Sequence, residues 1–235
     1  FKIKTMKSNT IIFLQLILLS VLASCSKMTE SPIAIDKVNK VVVNFEGTLY
    51  LYQDTFQFAS VAGPESAILK MNTRVIDGVW EVAHSSCKKC DEKVEVVLVS
   101  PYLQEIELIS NGNVIAEQSI NQKDISIVNN GTGTIEYRDL IVDSLHTSIQ
   151  SKGGIKLVGK GANVINAQVS GSGDLVMNQF KVAKLIANIL GEGNIFAVVT
   201  ETLDATISGS GNIYYKGFPK LIKHLSGSGD VIEDN

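Results

Sequence analysis

The C-terminal half of the sequence repeats a short glycine motif at a nearly constant interval, and this repeat restricts the possible folds most. One copy, Ile207–Ile213, reads Ile-Ser-Gly-Ser-Gly-Asn-Ile. The second glycines of successive copies lie 20, 20, 20, 18 and 18 residues apart. Repeats of this length cannot bury an apolar face alone, so they must stack as the rungs of a solenoid. These marker glycines are Gly133, Gly153, Gly173, Gly193, Gly211 and Gly229, and the interval adds a degenerate copy at Asn113.

The residues after each marker glycine alternate between apolar and variable types. The second residue after the marker is apolar in every copy, and the fourth is apolar in every copy except the last, which has Glu233. A period of two is typical of a strand with one face turned inward, and parallel strands connected in sequence wind right-handed. We therefore predict an all-β fold, a right-handed parallel β-helix over residues 109–235 with rungs of 18–20 residues. The inward second positions are Ile135, Ile155, Leu175, Ile195, Ile213 and Val231.

The turns of this coil have a recognisable chemistry. We expect the marker glycines at corners, where some residues need a positive φ that glycine adopts most easily. In four rungs the next residue is Asp174, Asn194, Asn212 or Asp230, and Asn and Asp are the next best residues at such corners. Because neighbouring strands lie about 4.8 Å apart, we also expect these side chains to hydrogen-bond along their column.

Residues 37–108 have β patterns but lack the glycine marker. Asp77 and Gly78 precede an alternating segment and predict a hairpin turn. We interpret this portion as irregular first rungs that cap the coil, and residues 25–36 as a tether. The predicted strands are Val41–Phe45, Thr48–Tyr52, Ala67–Leu69, Val79–Val82 and Val94–Val99.

The start of the sequence predicts a secreted chain. Lysines precede the apolar run Ile11–Leu22, which is too short for a spanning helix of about 20 apolar residues and is typical of a secretory signal over residues 1–24. Its end, Leu22-Ala23-Ser24-Cys25, is similar to the lipobox of bacterial lipoproteins. That resemblance implies a diacylglycerol thioether on Cys25, which would lipidate the tether and anchor it in a membrane. The alternative is an incidental cysteine near an ordinary cleavage site. Ser26 after the cysteine favours the outer membrane, facing either the periplasm or the outside.

Three glycine strings follow this signal and the irregular β portion: Val169–Asp174, Ile207–Pro219 and Leu225–Val231. In this order they resemble the GIN-domain family, described as putative auto-transporter adhesin head domains. The stretch Tyr214–Pro219, at the end of the second of these, is the most specific part. The resemblance covers about residues 38–235, although the marker is degraded at residues 151–154 and 191–193. It implies a β-helical fold and a bacterial envelope protein, often a lipoprotein, and it carries over no catalytic residue.

The third residue after each marker points outward and forms the most informative column. In the last four rungs it is Val176, Phe196, Tyr214 and Ile232. An exposed apolar stripe on consecutive rungs usually marks a contact site, so we predict a surface for a protein or glycan ligand here. The alternative is that another segment, such as residues 50–60, or a second protomer covers the stripe.

Cys87 and Cys90 form the remaining constellation. Outside the cytoplasm, two cysteines this close most simply form a disulfide that pins a loop. With His84 they could instead supply three zinc ligands, and a redox-active pair would need to open a helix, whereas a strand pattern follows.

Other chemistries fit the sequence poorly. A formal charge of −3 argues against nucleic acid as the partner. Gly154–Lys160 resembles a phosphate-binding loop, but Gly161 replaces the required Ser or Thr and an alternating strand pattern occupies the motif. Asp174 and Asp230 are three rungs apart, which leaves too few carboxylates in one place for a calcium site. We therefore predict a non-enzymatic binding or adhesion module of the cell envelope, without cofactor or metal. A structural envelope element and a carbohydrate-active β-helix enzyme stay as alternatives.

Overall fold

The computed structural model describes residues 29–72, 74–83 and 94–234. These residues form a β-solenoid of about six turns. In the N-terminal portion the strands are β1 (Thr29–Ile33), β2 (Lys40–Asn44), β3 (Gly47–Gln53), β4 (Phe58–Gly63), β5 (Val75–Ile76), β6 (Val79–Ala83), β7 (Val94–Ser100) and β8 (Glu105–Leu108), with one helical turn, α1 (Glu65–Ile68). The repeat portion contains β9 (Asn113–Asn129), β10 (Ile135–Ile149), β11 (Ile155–Val169), β12 (Leu175–Ile189), β13 (Ile195–Ile207), β14 (Ile213–Lys216), β15 (Lys220–Leu225) and β16 (Val231–Glu233).

The repeat predicted from the marker glycines is confirmed as a parallel solenoid. Ile135 pairs with Ile155, and Leu175 with Ile195, so that one lap takes 20 residues in these rungs. Between Ile195 and its partner Ile213 the lap shortens to 18 residues. Each long strand bends at register shifts and therefore has a first side, just after the marker glycine, and a last side, just before the next turn. Strands β14 and β16 continue the first side, and β15 continues the last side.

The N-terminal portion begins the same coil. On the first side β3 pairs in parallel with the start of β9, and on the last side β8 pairs with its end. Strands β7 and β2 extend these two sides by one parallel strand each. Antiparallel strands β4 and β1 then close the first side, and the hairpin β5–β6 closes the last side. The N-terminal portion therefore differs from the repeat portion in having antiparallel strands at its end.

The predicted inward columns form the core. The second positions after the marker are all buried, and the fourth positions are buried up to Tyr215. Glu233 in the last rung is exposed, as its charge requires. One continuous apolar cluster extends from Val38 to Val231, so the boundary drawn at residue 108 does not divide the core.

The reason predicted for the marker glycines is wrong. Among the described residues, φ is positive only at Asp77, Gly78, Gly159, Gly161 and Gly217, none of which is a marker. The turns stack so closely that a Cβ on a marker glycine would overlap the carbonyl oxygen of the glycine one rung earlier. Glycine is needed here because it has no side chain, and its φ range is not used.

Three details of the sequence interpretation are also wrong. Gly133 lies on Gly112, and Ile135 pairs with Val114, so the first lap has 21 residues and Asn113 is not a marker. Ala67–Leu69 is not a strand, because Pro64 and Glu65 begin the helical turn α1. Part of the tether is also a strand, since β1 pairs with β4 from Thr29 to Ile33.

Candidate functional site

The predicted apolar stripe is one continuous column on the first side of the coil. Strand pairing places Val176 beside Phe196, Phe196 beside Tyr214, and Tyr214 beside Ile232. Their neighbours in sequence, such as Met177 and Ala197, are buried, so period-two alternation turns the four side chains outward. Three of these side chains, Val176, Phe196 and Tyr214, are half-buried. The fourth, Ile232, lies at the end of the column and is 38% exposed.

The two aromatic rings in this column stack on each other. The centroids of Phe196 and Tyr214 lie 5.0 Å apart, and the ring planes differ by 8°. Because each ring covers one face of the other, the pair presents mainly ring edges to an approaching molecule. The Asn212 side-chain amide also lies 3.4 Å from the Tyr214 hydroxyl oxygen, to which it donates.

The same column becomes charged toward the N terminus. Lys156 pairs with Val176, and Glu136 pairs with Lys156. The Lys156 ammonium donates to the Glu136 carboxylate at 2.9 Å, and Arg138 lies 3.5 Å from the other carboxylate oxygen. The hydrogen bond from Lys156 and, to a smaller extent, the contact with Arg138 hold the pKa of Glu136 below its usual value. The apolar stripe therefore has a defined polar end.

A ladder of Asp and Asn side chains runs beside the stripe, as predicted. The carboxylate of Asp174 accepts a hydrogen bond from the backbone N–H of Asn194 at 2.8 Å. The Asn194 side-chain oxygen accepts from the N–H of Asn212, and that of Asn212 accepts from the N–H of Asp230, both at 2.9 Å. Each side chain thus connects its rung to the next.

Residues 50–60 do not cover the stripe. Tyr50 lies in the same outward column, but strands β9, β10 and β11 separate its strand, β3, from Val176. Strand β4 lies further away, beyond β7. That alternative is therefore wrong for the described residues.

The structure also contains a corner groove that the sequence analysis did not identify. It has a volume of about 380 Å³ and is open to solvent. At this corner strand β11 has two glycines at positive φ, Gly159 and Gly161. The adjacent rungs instead have large buried side chains here, Leu140 and Phe180. In the sequence, this groove is indicated by glycines in one rung, β11, at the corner where its neighbours have a large apolar residue. The polar residues of its lining are Asp143, Lys160, Asn163, Lys181 and Thr200.

Several predicted site residues lie outside the described residues. These are Cys25, His84, Cys87 and Cys90, for which lipidation, a disulfide and zinc binding stay predictions. Within the described ranges no cluster of His, Cys, Asp and Glu is arranged to hold a metal ion. The same ranges contain no helix with the length and hydropathy needed to cross a membrane. The sequence Gly154–Lys160 enters strand β11, as expected from its alternation.

These features define a class of protein: a parallel β-solenoid with antiparallel strands at its N-terminal end and an outward apolar column near its C-terminal end. The family described as "Putative auto-transporter adhesin, head GIN domain" matches residues 38–219. The chain belongs to this family, and the resemblance found in the sequence is confirmed. None of the curated proteins matches the sequence.

Three solved structures have the same fold as this chain. A "putative adhesin" from Bacteroides fragilis is 24% identical with a TM-score of 0.81, over 89% of this chain and 98% of that one. A "putative lipid binding protein" from Parabacteroides distasonis is 24% identical with a TM-score of 0.72, over 90% and 98%. A "putative adhesin" from Parabacteroides merdae is 22% identical with a TM-score of 0.69, also over 90% and 98%. At these identities the similarity establishes the fold.

Proposed function

We propose that this protein is a non-enzymatic adhesion module of the bacterial cell envelope, held to the outer membrane by a lipid on Cys25. In this proposal the stripe of Val176, Phe196, Tyr214 and Ile232 is the contact surface. Membership in an adhesin-head family supports an envelope role. The observation that carries the proposal is the register of four outward apolar side chains on consecutive strands.

The orientation of the rings favours a protein surface as the ligand. Sugar rings bind aromatic residues by lying on an open ring face, but Phe196 and Tyr214 stack on each other. Their edges and the aliphatic Val176 and Ile232 form a narrow ridge, which suits an apolar groove on a partner protein. A glycan would have to bind through the polar ladder beside the ridge.

The test is binding of the chain to immobilised fibronectin, collagen and mucin, with free mucin oligosaccharides as competitor. We expect binding to at least one of these proteins, and a loss of about tenfold or more in affinity for the double variant Phe196→Ser with Tyr214→Ser, because large buried side chains dominate contact energy. The matched control is Ile186→Ser, since Ile186 is an outward apolar residue on the last side of the coil.

Three results would decide against this proposal. Equal binding by the double variant and the control would mean that the contact surface lies elsewhere on the molecule. Complete competition by free oligosaccharides would replace the protein ligand by a glycan. Absence of binding to all three proteins, with folding intact by circular dichroism, would favour a structural envelope role.

Membrane attachment through Cys25 is tested separately. Cells that express the chain are fed a radiolabelled fatty acid, and their membranes are fractionated. We expect label on the parent chain in the outer-membrane fraction and neither label nor membrane association for Cys25→Ser, since acyl chains supply the binding energy for the membrane. Membrane-bound but unlabelled protein would exclude the lipid anchor.

We also propose a disulfide between Cys87 and Cys90. Thiol titration of the denatured, unreduced protein is expected to find neither cysteine free, whereas reductant should release both. Two reactive thiols in purified protein without bound zinc would overturn the disulfide, and one equivalent of bound zinc would replace it with a metal site.

A further inference from the structure

The corner groove at strand β11 is a fixed feature of the coil. Here Gly159 and Gly161 have φ of 147° and 123°, which residues with a side chain rarely adopt. A Cβ on Gly159 would overlap the carbonyl oxygen of Leu140, and a Cβ on Gly161 would overlap that of Lys181. Side chains at these two positions therefore cannot fill the groove, whose volume of about 380 Å³ is in the range of small-molecule sites.

Two lysines line the groove without an anionic partner. Lys160 of β11 and Lys181 of β12 are exposed and lie on adjacent strands. Among the described residues neither ammonium makes an ion pair. In contrast, Lys156 of the same strand β11 pairs with Glu136 at 2.9 Å. The groove therefore presents two free cationic donors to a ligand.

The other polar side chains of the lining can both donate and accept hydrogen bonds. The carboxylate of Asp143, the one acid among the described residues of the lining, accepts from the Asn163 amide at 3.4 Å and has further lone pairs. The Thr200 hydroxyl donates to the Val182 carbonyl oxygen at 3.3 Å, so its own oxygen can still accept. Hydroxyl groups of a ligand match such a lining, because each hydroxyl donates and accepts at once.

We propose that the corner groove binds a sugar residue that carries one anionic group, either a carboxylate or a sulfate ester. The anionic group lies between the ammonium groups of Lys160 and Lys181, where it forms charge-assisted hydrogen bonds. The sugar hydroxyls bond to Asp143, Asn163 and Thr200. This site is separate from the Phe196–Tyr214 ridge and does not depend on it.

The shape of the groove favours a sugar over other anions. An inorganic anion could contact both ammonium groups, but it would leave most of the 380 Å³ empty. A fatty acid could also contact them, but the groove is open and its half-buried aliphatic residues are the short Ile141, Ala162 and Ala183. An acyl chain would then stay largely in water, which opposes its binding. A compact polar ligand with one negative charge fits both the charge and the volume.

The first experiment locates the site by lysine acetylation of the full chain in mild detergent, read by tandem mass spectrometry. The probes are glucuronic acid and glucose 6-sulfate, and the controls are glucose and a mixture of sodium acetate and sodium sulfate. Ligands of this size should bind with a Kd of about 1 mM. At about 20 mM a probe should slow acetylation of Lys160 and Lys181 at least about threefold, while Lys152 and Lys184 react as before.

The second experiment measures the Kd of the protecting probe by saturation-transfer difference NMR. The variant Lys160→Gln with Lys181→Gln should bind it at least about fivefold more weakly, because two charged contacts are lost. The matched control, Lys152→Gln with Lys184→Gln, removes the same charge from exposed lysines outside the lining. This control should bind like the parent, and circular dichroism checks the folding of both variants.

Each outcome bears on the proposal. Protection by only one of the two acids would identify the anionic group and support the proposal. Protection by neither acid, equal protection by the inorganic salts, or unchanged affinity of the Lys160→Gln with Lys181→Gln variant would overturn it. The ridge variant Phe196→Ser with Tyr214→Ser should keep the affinity for the probe, because the groove follows the register shifts after the first side. Loss of the probe in that variant would place the sugar on the ridge and overturn the groove site.

Discussion

At the scale of single residues, the marker glycines determine how closely the turns can stack. Gly173 lies on Gly153, and a Cβ on Gly173 would overlap the Gly153 carbonyl oxygen. Backbone atoms cannot move away without breaking the hydrogen bond from the Gly173 N–H to Ser151, which is 2.9 Å long. We expect Gly173→Ala to lower the free energy of unfolding by about 3 kcal/mol or more, measured by urea denaturation.

Gly154 is the matched control for this substitution. A Cβ at Gly154 would lie 3.2 Å from the nearest atom, the Asp174 carbonyl oxygen, so a shift of a few tenths of an ångström admits it. Gly154→Ala should therefore change stability by less than about 1 kcal/mol. Equal effects of the two substitutions would mean that close stacking is not why the markers are glycine.

The Tyr137 hydroxyl gives a second prediction at this scale. Tyr137 is fully buried, burial raises the pKa of its hydroxyl, and the hydroxyl has no hydrogen-bond partner among the described residues. Removing an unsatisfied buried polar group stabilises a core when the shape is kept. Tyr137→Phe is expected to raise the free energy of unfolding by about 1 kcal/mol in thermal or urea denaturation. A loss of stability would reveal a partner for the hydroxyl.

At the scale of structural elements, the Asp and Asn ladder connects adjacent turns. Asn194→Ala removes the acceptor for the Asn212 N–H and the donor to Asp174. Because the Asn212 N–H then loses its partner, we expect a loss of about 1–2 kcal/mol in urea denaturation. Asn188→Ala, at an exposed outward position of β12, should change stability by less than about 0.5 kcal/mol. Similar losses of stability for the two substitutions would mean that the ladder does not contribute specifically to stability.

The regularity of an element determines whether it could be predicted from the sequence. Strands β10–β14 and the outward column from Val176 to Ile232 follow from one repeat, because equal spacing stacks equal positions. The segment Ala67–Leu69 was misassigned, since three apolar residues do not distinguish a strand from one helical turn. Antiparallel β1 and β4 lack any repeat, and the corner at Gly161 depends on register shifts that no local pattern contains.

At the scale of the whole molecule, each rung of a solenoid contacts only its neighbours, so stability should decrease toward an open end. Hydrogen exchange measured by mass spectrometry tests this on the parent chain. We expect slow exchange in β10–β12, which have a strand on both sides, and fast exchange in β15. Exchange in β15 that is as slow as in β10–β12 would contradict this expectation.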